Sequence, residues 1–277
     1  MASEPQLKAP PGACDTHMHF YGLQELYPLA PTAASIPPVA TVADYRALQR
    51  RLGLERVVVV QPTAYGFDNN CTMDAVREFG EAARAIVVVR PEASNNELAH
   101  LTAEGARGIR FHMLPGGVLP WEALEPMAAR VHEYGWHVQL QLDGHLLPDK
   151  ADVLRRLPGR LVIDHVGKFL EPVPPDHPAF KALLDLVEGG RTWVKLSAPY
   201  EVSKVGPPRY DDVGRLAKAL VRAAPERMLW ASNWPHPSVQ DKPDDAVLLD
   251  LLLDWAPDDA TRRRILVDNP AELYGFA

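Results

Sequence analysis

The feature that most constrains the fold of this chain is a repeated unit, in which a short β-branched apolar segment is followed by a loop and a helical pattern. Several of the apolar segments, such as Val57–Val60, are apolar on both faces, which is typical of parallel strands covered on both sides. Eight segments are predicted to be strands: Ala13–Phe20, Arg56–Gln61, Ala85–Arg90, Ala106–His112, His137–Leu142, Arg160–Val166, Thr192–Ser197 and Met228–Asn233. Their alternation with helices predicts a single (β/α)8 TIM barrel over residues 1–277, with its core at about 13–276.

A doubly wound open sheet is the alternative fold, but its G-x-G-x-x-G phosphate turn is absent from the sequence. The helical patterns carry start and stop signals. Thr41-x-x-Asp44 and Ser94-x-x-Glu97 resemble capping boxes, Pro120 suits a first helical turn, and Gly135 suits a helix end. The later helices are predicted at Pro148–Leu157, Ala179–Glu188, Asp211–Ala223, Asp244–Trp255 and Asp258–Val267.

Proline is unusually frequent, at 27 of 277 residues, which is about twice its ordinary share. Many prolines lie just after a predicted strand, where the chain has to turn sharply out of a barrel: Pro62, Pro91, Pro115, Pro199 and Pro235. This placement predicts ordered loops rather than disorder.

The formal net charge of −7, from 29 Lys+Arg and 36 Asp+Glu, argues against a nucleic-acid-binding protein. No apolar run approaches the roughly 20 residues of a membrane span, and the N-terminus lacks the apolar core of a signal peptide. Two cysteines fit a reducing compartment, so a cytoplasmic location without membrane partners is expected. We expect Cys14 and Cys71 to be structural, with Cys14 pointing outward from the barrel. The sequence leaves open whether the chain forms a homo-oligomer.

In a TIM barrel, the active site lies at the carboxyl ends of the strands. Polar side chains gather at these predicted ends: Asp15, His17, His19, Arg110, His112, Gln139, Gln141, Asp143, Asp164, His165, Lys168, Lys195, Ser197, Asn233 and His236. Side chains alternate along a strand, so Asp15, His17 and His19 are predicted to share one face. Two imidazoles on one face can hold a divalent metal or a substrate oxyanion.

Four motifs carry a family resemblance: D-T-H-M-H at 15–19, I-D-H-V-G-K at 163–168, W-A-S-N-W-P-H-P at 230–237, and D-N-P-A-E-x-Y at 268–274. Together they resemble the amidohydrolase superfamily, and within it the branch of 2-pyrone-4,6-dicarboxylate lactonase, 4-sulfomuconolactone hydrolase and D-galactarolactone isomerase. The resemblance runs from about Ala13 to Phe276, nearly the whole chain.

The resemblance implies that His17, His19, His165 and Asn233 are the catalytic residues. Asn233 stands where most members carry an aspartate that activates water, and an amide cannot accept a proton at neutral pH. Three explanations stay open. The enzyme is an isomerase of the galactarolactone type, whose pattern also carries Asn; or it is a hydrolase that uses another base, such as a histidine of the cluster; or Asn233 is an introduced substitution.

Two cationic side chains at strand ends, Arg110 and Lys168, suit the carboxylate of a small anionic lactone substrate. His236, Gln141, Tyr21 and Tyr200 are expected to contact the substrate or to form the pocket wall. The resembling branch includes members that act without metal, and we expect no cofactor to be required. The alternative is one zinc ion held by His17, His19 and His165.

The resemblance therefore implies a hydrolase, a lactonase that opens the ring ester of a small carboxylated lactone in carbohydrate or aromatic acid catabolism. Lactone isomerisation by intramolecular acyl transfer carries nearly equal weight because of Asn233. A metal-dependent decarboxylase and a non-catalytic ligand binder are the remaining alternatives. The decarboxylase would need an aspartate on the eighth strand, which the chain lacks.

Overall fold

The computed structural model describes residues 3–277 and places eight parallel strands in sequence order in one sheet. The strands are β1 Cys14–Met18, β2 Arg56–Val60, β3 Ala83–Val87, β4 Ala106–His112, β5 His137–Gln141, β6 Leu161–Ile163, β7 Thr192–Leu196 and β8 Met228–Trp230. Because β1 and β8 also contact each other, the sheet curls into a nearly closed barrel. The predicted TIM barrel is confirmed.

Helices surround the strands, and nearly all of them bury one face. They are α1 Val42–Leu52, α2 Asn70–Phe79, α3 Asn95–Ala103, α4 Leu124–His132, α5 Leu147–Arg156, α6 Pro178–Glu188, α7 Asp211–Ala223, α8 Asp245–Trp255, α9 Asp259–Arg263 and α10 Asn269–Tyr274. Thr41 and Asp44 form the predicted capping box, whereas Ser94 accepts a hydrogen bond from the Glu97 amide without a bond in return. Among residues 3–277, no helix has the length and apolar character needed to cross a membrane.

Several predicted boundaries were wrong, including those of the strands predicted at Ala13–Phe20 and Ala85–Arg90, which run over Cys14–Met18 and Ala83–Val87. The strands predicted at Arg160–Val166 and Met228–Asn233 end early, because β6 stops at Ile163 and β8 at Trp230. His165 and Val166 beyond β6 and Asn233 beyond β8 have a positive φ, which does not fit a regular strand. The helix predicted at Asp258–Val267 divides into α9 and a π-helical turn at Arg264–Asp268.

The apolar interior has two parts, which alternate along the strands. Val57 and Val59 belong to the large cluster packed against the surrounding helices. Val58 and Val60 belong to a smaller cluster that α10 completes with Leu273 and Tyr274. Cys14 lies in this smaller cluster, so the expectation that it points outward was wrong.

Asp15 does not share a face with His17 and His19, contrary to the sequence prediction, because the register of β1 shifts between Asp15 and Met18. Its buried carboxylate accepts hydrogen bonds from the Ser232 amide at 3.0 Å and from the Tyr45 hydroxyl at 2.9 Å. The Ser232 hydroxyl also donates to it. Burial raises the pKa of Asp15 to about 6. The side chain joins β1 to the end of β8 and to α1.

We expect Asp15→Ala to lower the free energy of unfolding by about 3 kcal/mol, because it leaves several buried donors without an acceptor. Asp15→Asn should cost only about 1 kcal/mol, since the Ser232 and Tyr45 hydroxyls can turn to accept from the new amide. Urea unfolding followed by circular dichroism measures both, with the exposed Asp241→Ala as control. Equal stability of Asp15→Ala and the control would contradict the role of this carboxylate in closing the barrel.

Candidate active site

A pocket of about 300 Å³ opens at the carboxyl ends of the barrel strands. Its walls contain seven of the residues predicted from the sequence: His19, Tyr21, Arg110, Gln141, His165, Lys168 and Asn233. The loop between β1 and α1 contributes Ala34, Ser35 and Pro37 to the outer wall. The pocket therefore lies where a TIM barrel places its chemistry.

His17 on β1 and His19, just after the end of β1, form a directed hydrogen-bonded pair. His19 Nδ1 donates to the Val60 carbonyl at 2.7 Å, which leaves its Nε2 as an acceptor. His17 Nε2 lies 3.3 Å from His19 Nε2 and is therefore the donor of the pair. These tautomers follow from the partners of each ring. His19 Nε2 is therefore an acceptor that His17 holds, and it can accept from a ligand when the ligand replaces His17 as the donor.

Beneath His17 lies a fully buried polar group made of Lys195, Gln139 and Asp164. Lys195 Nζ lies 3.2 Å from His17 Nδ1, donates to Gln139 Oε1 at 2.6 Å and lies 3.7 Å from Asp164 Oδ1. An ammonium can only donate, so it holds His17 Nδ1 as an acceptor. Lys195 thereby sets the tautomer of His17.

His165 lies in the loop after β6. Its Nδ1 is 2.8 Å from the hydroxyl of Ser197, which follows β7. A proton donated by Ser197 leaves His165 Nε2 as a hydrogen-bond donor. Burial lowers the pKa of His165 well below its ordinary value, and it lowers the pKa of His19 to about 3. Burial and the Lys195 charge lower the pKa of His17 as well. All three imidazoles are neutral at pH 7.

Backbone strain is concentrated in the loops that carry these groups. Non-glycine residues with positive φ in the loops that follow β6, β7 and β8 include His165, Val166, Lys168, Ala198, Asn233 and His236. A left-handed conformation is costly for a β-branched residue such as Val166, whose φ is 55°. Strain of this kind collects at functional sites, where the surrounding structure holds it.

Two cations face the pocket. Arg110 is buried and uses two of its donors, to the Gln61 carbonyl at 2.8 Å and to Gln141 Oε1 at 3.0 Å. Its Nε has no partner among the described residues, so donors remain for a ligand. Burial lowers the pKa of Lys168 to about 8, and its ammonium pairs with the buried carboxylate of Glu201.

Asn233 follows β8 and lines the pocket. Its Nδ2 donates to the Tyr200 hydroxyl at 2.9 Å and to Glu201 Oε1 at 3.2 Å. These two contacts orient the amide, because only the nitrogen end can donate. The oxygen end is left as an acceptor.

Two predicted contact residues lie behind Asn233 rather than on the pocket wall. The Tyr200 hydroxyl bonds His236 Nδ1 at 2.8 Å, and His236 Nε2 lies 3.1 Å from Asp245 Oδ1. Sequence reasoning missed Glu201, and it assigned no role to His112, which also lines the pocket. The signal for Glu201 was its position in the loop after the strand predicted at Thr192–Ser197, next to Tyr200.

The imidazole group fits a family-type metal site poorly. The His17 and His19 Nε2 atoms are 3.3 Å apart, which suits two ligands of one ion. However, Asp164 approaches the opposite nitrogen of His17, Nδ1, at 3.3 Å, so its carboxylate belongs to a different candidate ligand set, His17, Asp164 and His165, whose ligand atoms lie within 4.8 Å of one another. Asn233, which follows β8, brings no carboxylate to the group, and Lys195 and Arg110 already place positive charge beside it.

Comparison with known proteins agrees with this geometry. The profile of the family described as Amidohydrolase matches residues 14–276. The chain is 40% identical to the D-galactarolactone isomerase of Agrobacterium fabrum, over 96% of this chain and 91% of that protein. It is 38% identical to the 4-sulfomuconolactone hydrolase of Rhizobium radiobacter, over 96% and 91% of the two chains.

A solved structure shows the same fold over almost the full length. The apo crystal structure of an Agrobacterium tumefaciens protein superposes with a TM-score of 0.93 at 39% identity, covering 99% of each chain. The similarity therefore includes the loops that build the pocket as well as the barrel.

Proposed function

This chain belongs to the amidohydrolase family, and we propose that it is an enzyme of the lactone hydrolase or lactone isomerase type, acting at the ring ester of a small carboxylated lactone. One observation carries the proposal: two cations, Arg110 and Lys168, and neutral imidazoles face a single pocket of about 300 Å³. That volume suits a small molecule, and the cations suit its carboxylate. The acidic chain is locally positive where the substrate binds.

The pocket groups divide the chemistry between them. Arg110 and Lys168 bind the carboxylate, while His165 Nε2–H is positioned to donate to the ring carbonyl and to the oxyanion that forms on it. His19 Nε2 is the ring nitrogen without a proton, so it takes the proton of the attacking hydroxyl once that hydroxyl replaces His17 Nε2–H as its hydrogen-bond donor. The same proton then passes to the ring oxygen as the ester bond breaks.

Hydrolysis and isomerisation differ only in the attacking oxygen. In hydrolysis it belongs to water, as the activity of the sulfomuconolactone relative suggests, and His19 is the base. In isomerisation it belongs to a hydroxyl of the substrate, which closes a ring of another size. The absence of a carboxylate at Asn233 favours isomerisation, because a weak base suffices when the nucleophile is held within the same molecule.

A panel of sugar-acid lactones and muconolactones in 18O-labelled water tests the proposal. We expect ring-size exchange, followed by NMR, with little label in the product. Full incorporation of label with release of the open acid would establish hydrolysis instead. Tight lactone binding without any conversion would overturn the proposed function and leave a ligand-binding protein.

We propose further that the reaction needs no metal, since Asn233 supplies no carboxylate and the charges of Lys195 and Arg110 already lie close to His17 and His19. Elemental analysis of the purified protein should find zinc well below one ion per chain. Dialysis against a chelator should leave lactone turnover unchanged. One zinc per chain, with activity lost on chelation and restored by zinc, would establish the metal-dependent alternative and reopen the decarboxylase hypothesis.

A further inference from the structure

Three consecutive loops of the barrel meet at the carboxylate of Glu201. Lys168 from the loop after β6 donates to Oε2, and Ser238 beyond β8 donates to Oε1. Asn233 Nδ2 lies 3.2 Å from the same Oε1. The Glu201 side chain is only 7% exposed, so these partners take the place of water. A buried carboxylate with paired oxygens is a fixed acceptor.

The groups that face the side chain at position 233 are hydrogen-bond acceptors, so that side chain has to donate. The Tyr200 hydroxyl is placed to donate its proton to His236 Nδ1, at 2.8 Å, so toward Asn233 it acts as an acceptor. This hydroxyl could turn if its partner changed. Glu201 has no proton to turn, so it is the neighbour that decides what position 233 can carry.

We propose that Glu201 is a positioning residue that fixes the Asn233 amide and excludes a working carboxylate base from position 233. This inference rests on the proposed lactone chemistry. An aspartate at this position would place an anionic oxygen about 3 Å from Glu201 Oε1, where the two carboxylates repel each other strongly. The aspartate would then be pushed aside or hold a proton, and in either case it could not activate water. Glu201 thereby keeps the site suited to a nucleophile that the substrate itself supplies.

The test is a cycle of four proteins: wild type, Asn233→Asp, Glu201→Gln and the double variant. Each is assayed with the lactone panel in 18O-labelled water. We expect Asn233→Asp alone to incorporate label no faster than wild type. The double variant should incorporate label about tenfold faster or more, because the neutral amide introduced by Glu201→Gln can donate to the carboxylate introduced by Asn233→Asp and leave that carboxylate as a base. Glu201→Gln alone should gain no hydrolysis.

A second measurement does not depend on turnover. Asn233→Asp should lower the midpoint of thermal unfolding by roughly 3 °C or more in the wild-type background. In the Glu201→Gln background the same substitution should cost much less, and the difference is the coupling between the two side chains. Glu171→Gln, an exposed carboxylate of the loop after β6, is the matched control and should change neither measurement.

Three results would overturn the inference: hydrolysis gained equally by Asn233→Asp and the double variant, rapid label incorporation by wild type, or no thermal coupling between positions 201 and 233. Failure of the proposed function looks different, since wild type would then convert no lactone while the thermal cycle still reports on Glu201. A purely structural role for Glu201 would lower the stability of Glu201→Gln without changing the label in the double variant.

Discussion

Arg110→Gln should lower kcat/KM for carboxylated lactones by about 10²–10³-fold, as expected when one partner of a buried charge pair is truncated. The guanidinium is held by the Gln61 carbonyl and by Gln141, and its remaining donors are left for the substrate carboxylate. Arg110→Lys should recover only part of the loss, because an ammonium cannot hold both protein acceptors and a bidentate carboxylate at once.

Steady-state kinetics on a matched pair of substrates checks this prediction. The loss should be large for the free carboxylate and small for its methyl ester, since the ester offers no charge to Arg110. Arg90→Gln is the control, as this exposed arginine lies beyond β3 and outside the active-site pocket. An equal loss on acid and ester would contradict carboxylate binding and assign Arg110 a structural role.

The barrel and its catalytic rim were predictable because they depend on local patterns. Parallel strands buried on both faces appear in the sequence as β-branched runs, as in β2. The bounds of β4, Ala106–His112, were predicted to the residue. The polar residues that follow such strands converge at one end of any TIM barrel. For this reason His19, Arg110 and Asn233 could be placed at the pocket before any contact was known.

The features that could not be predicted from the sequence depend on contacts between segments that are distant along the chain. The bulge in β1 that turns Asp15 toward Tyr45 has no local sequence signal, because it is stabilised by Ser232 across the barrel closure. Glu201 looks like an ordinary surface carboxylate until the loops of Lys168 and Asn233 are brought to it. The sequence placed Lys195 at a strand end, but its contacts with His17 on β1 and Gln139 on β5 could not be predicted from it.

Lys195→Met should abolish most lactone turnover, with kcat/KM reduced about 100-fold or more, although Lys195 does not line the pocket. Without the ammonium, only the Gln139 amide, whose Nε2 lies 3.3 Å away, is left to donate to His17 Nδ1, so this nitrogen can carry the proton and donate to Asp164 Oδ1 at 3.3 Å. His17 Nε2 would then be an acceptor that faces the acceptor Nε2 of His19 at 3.3 Å. The pair would have to rearrange, and His19 would lose its fixed orientation as the proton acceptor.

The tautomer of His17 is the direct readout. In wild-type protein labelled with 15N-histidine, the proton of His17 should lie on Nε2, and in Lys195→Met it should lie on Nδ1. Because Lys195→Met also leaves the buried Asp164 carboxylate without its cation, it should destabilise the fold by about 3–5 kcal/mol. The double variant Lys195→Met/Asp164→Asn removes both charges, so it should regain much of that stability without regaining activity. Recovery of turnover along with stability would show that Lys195 matters only for folding and does not direct the proton of His17.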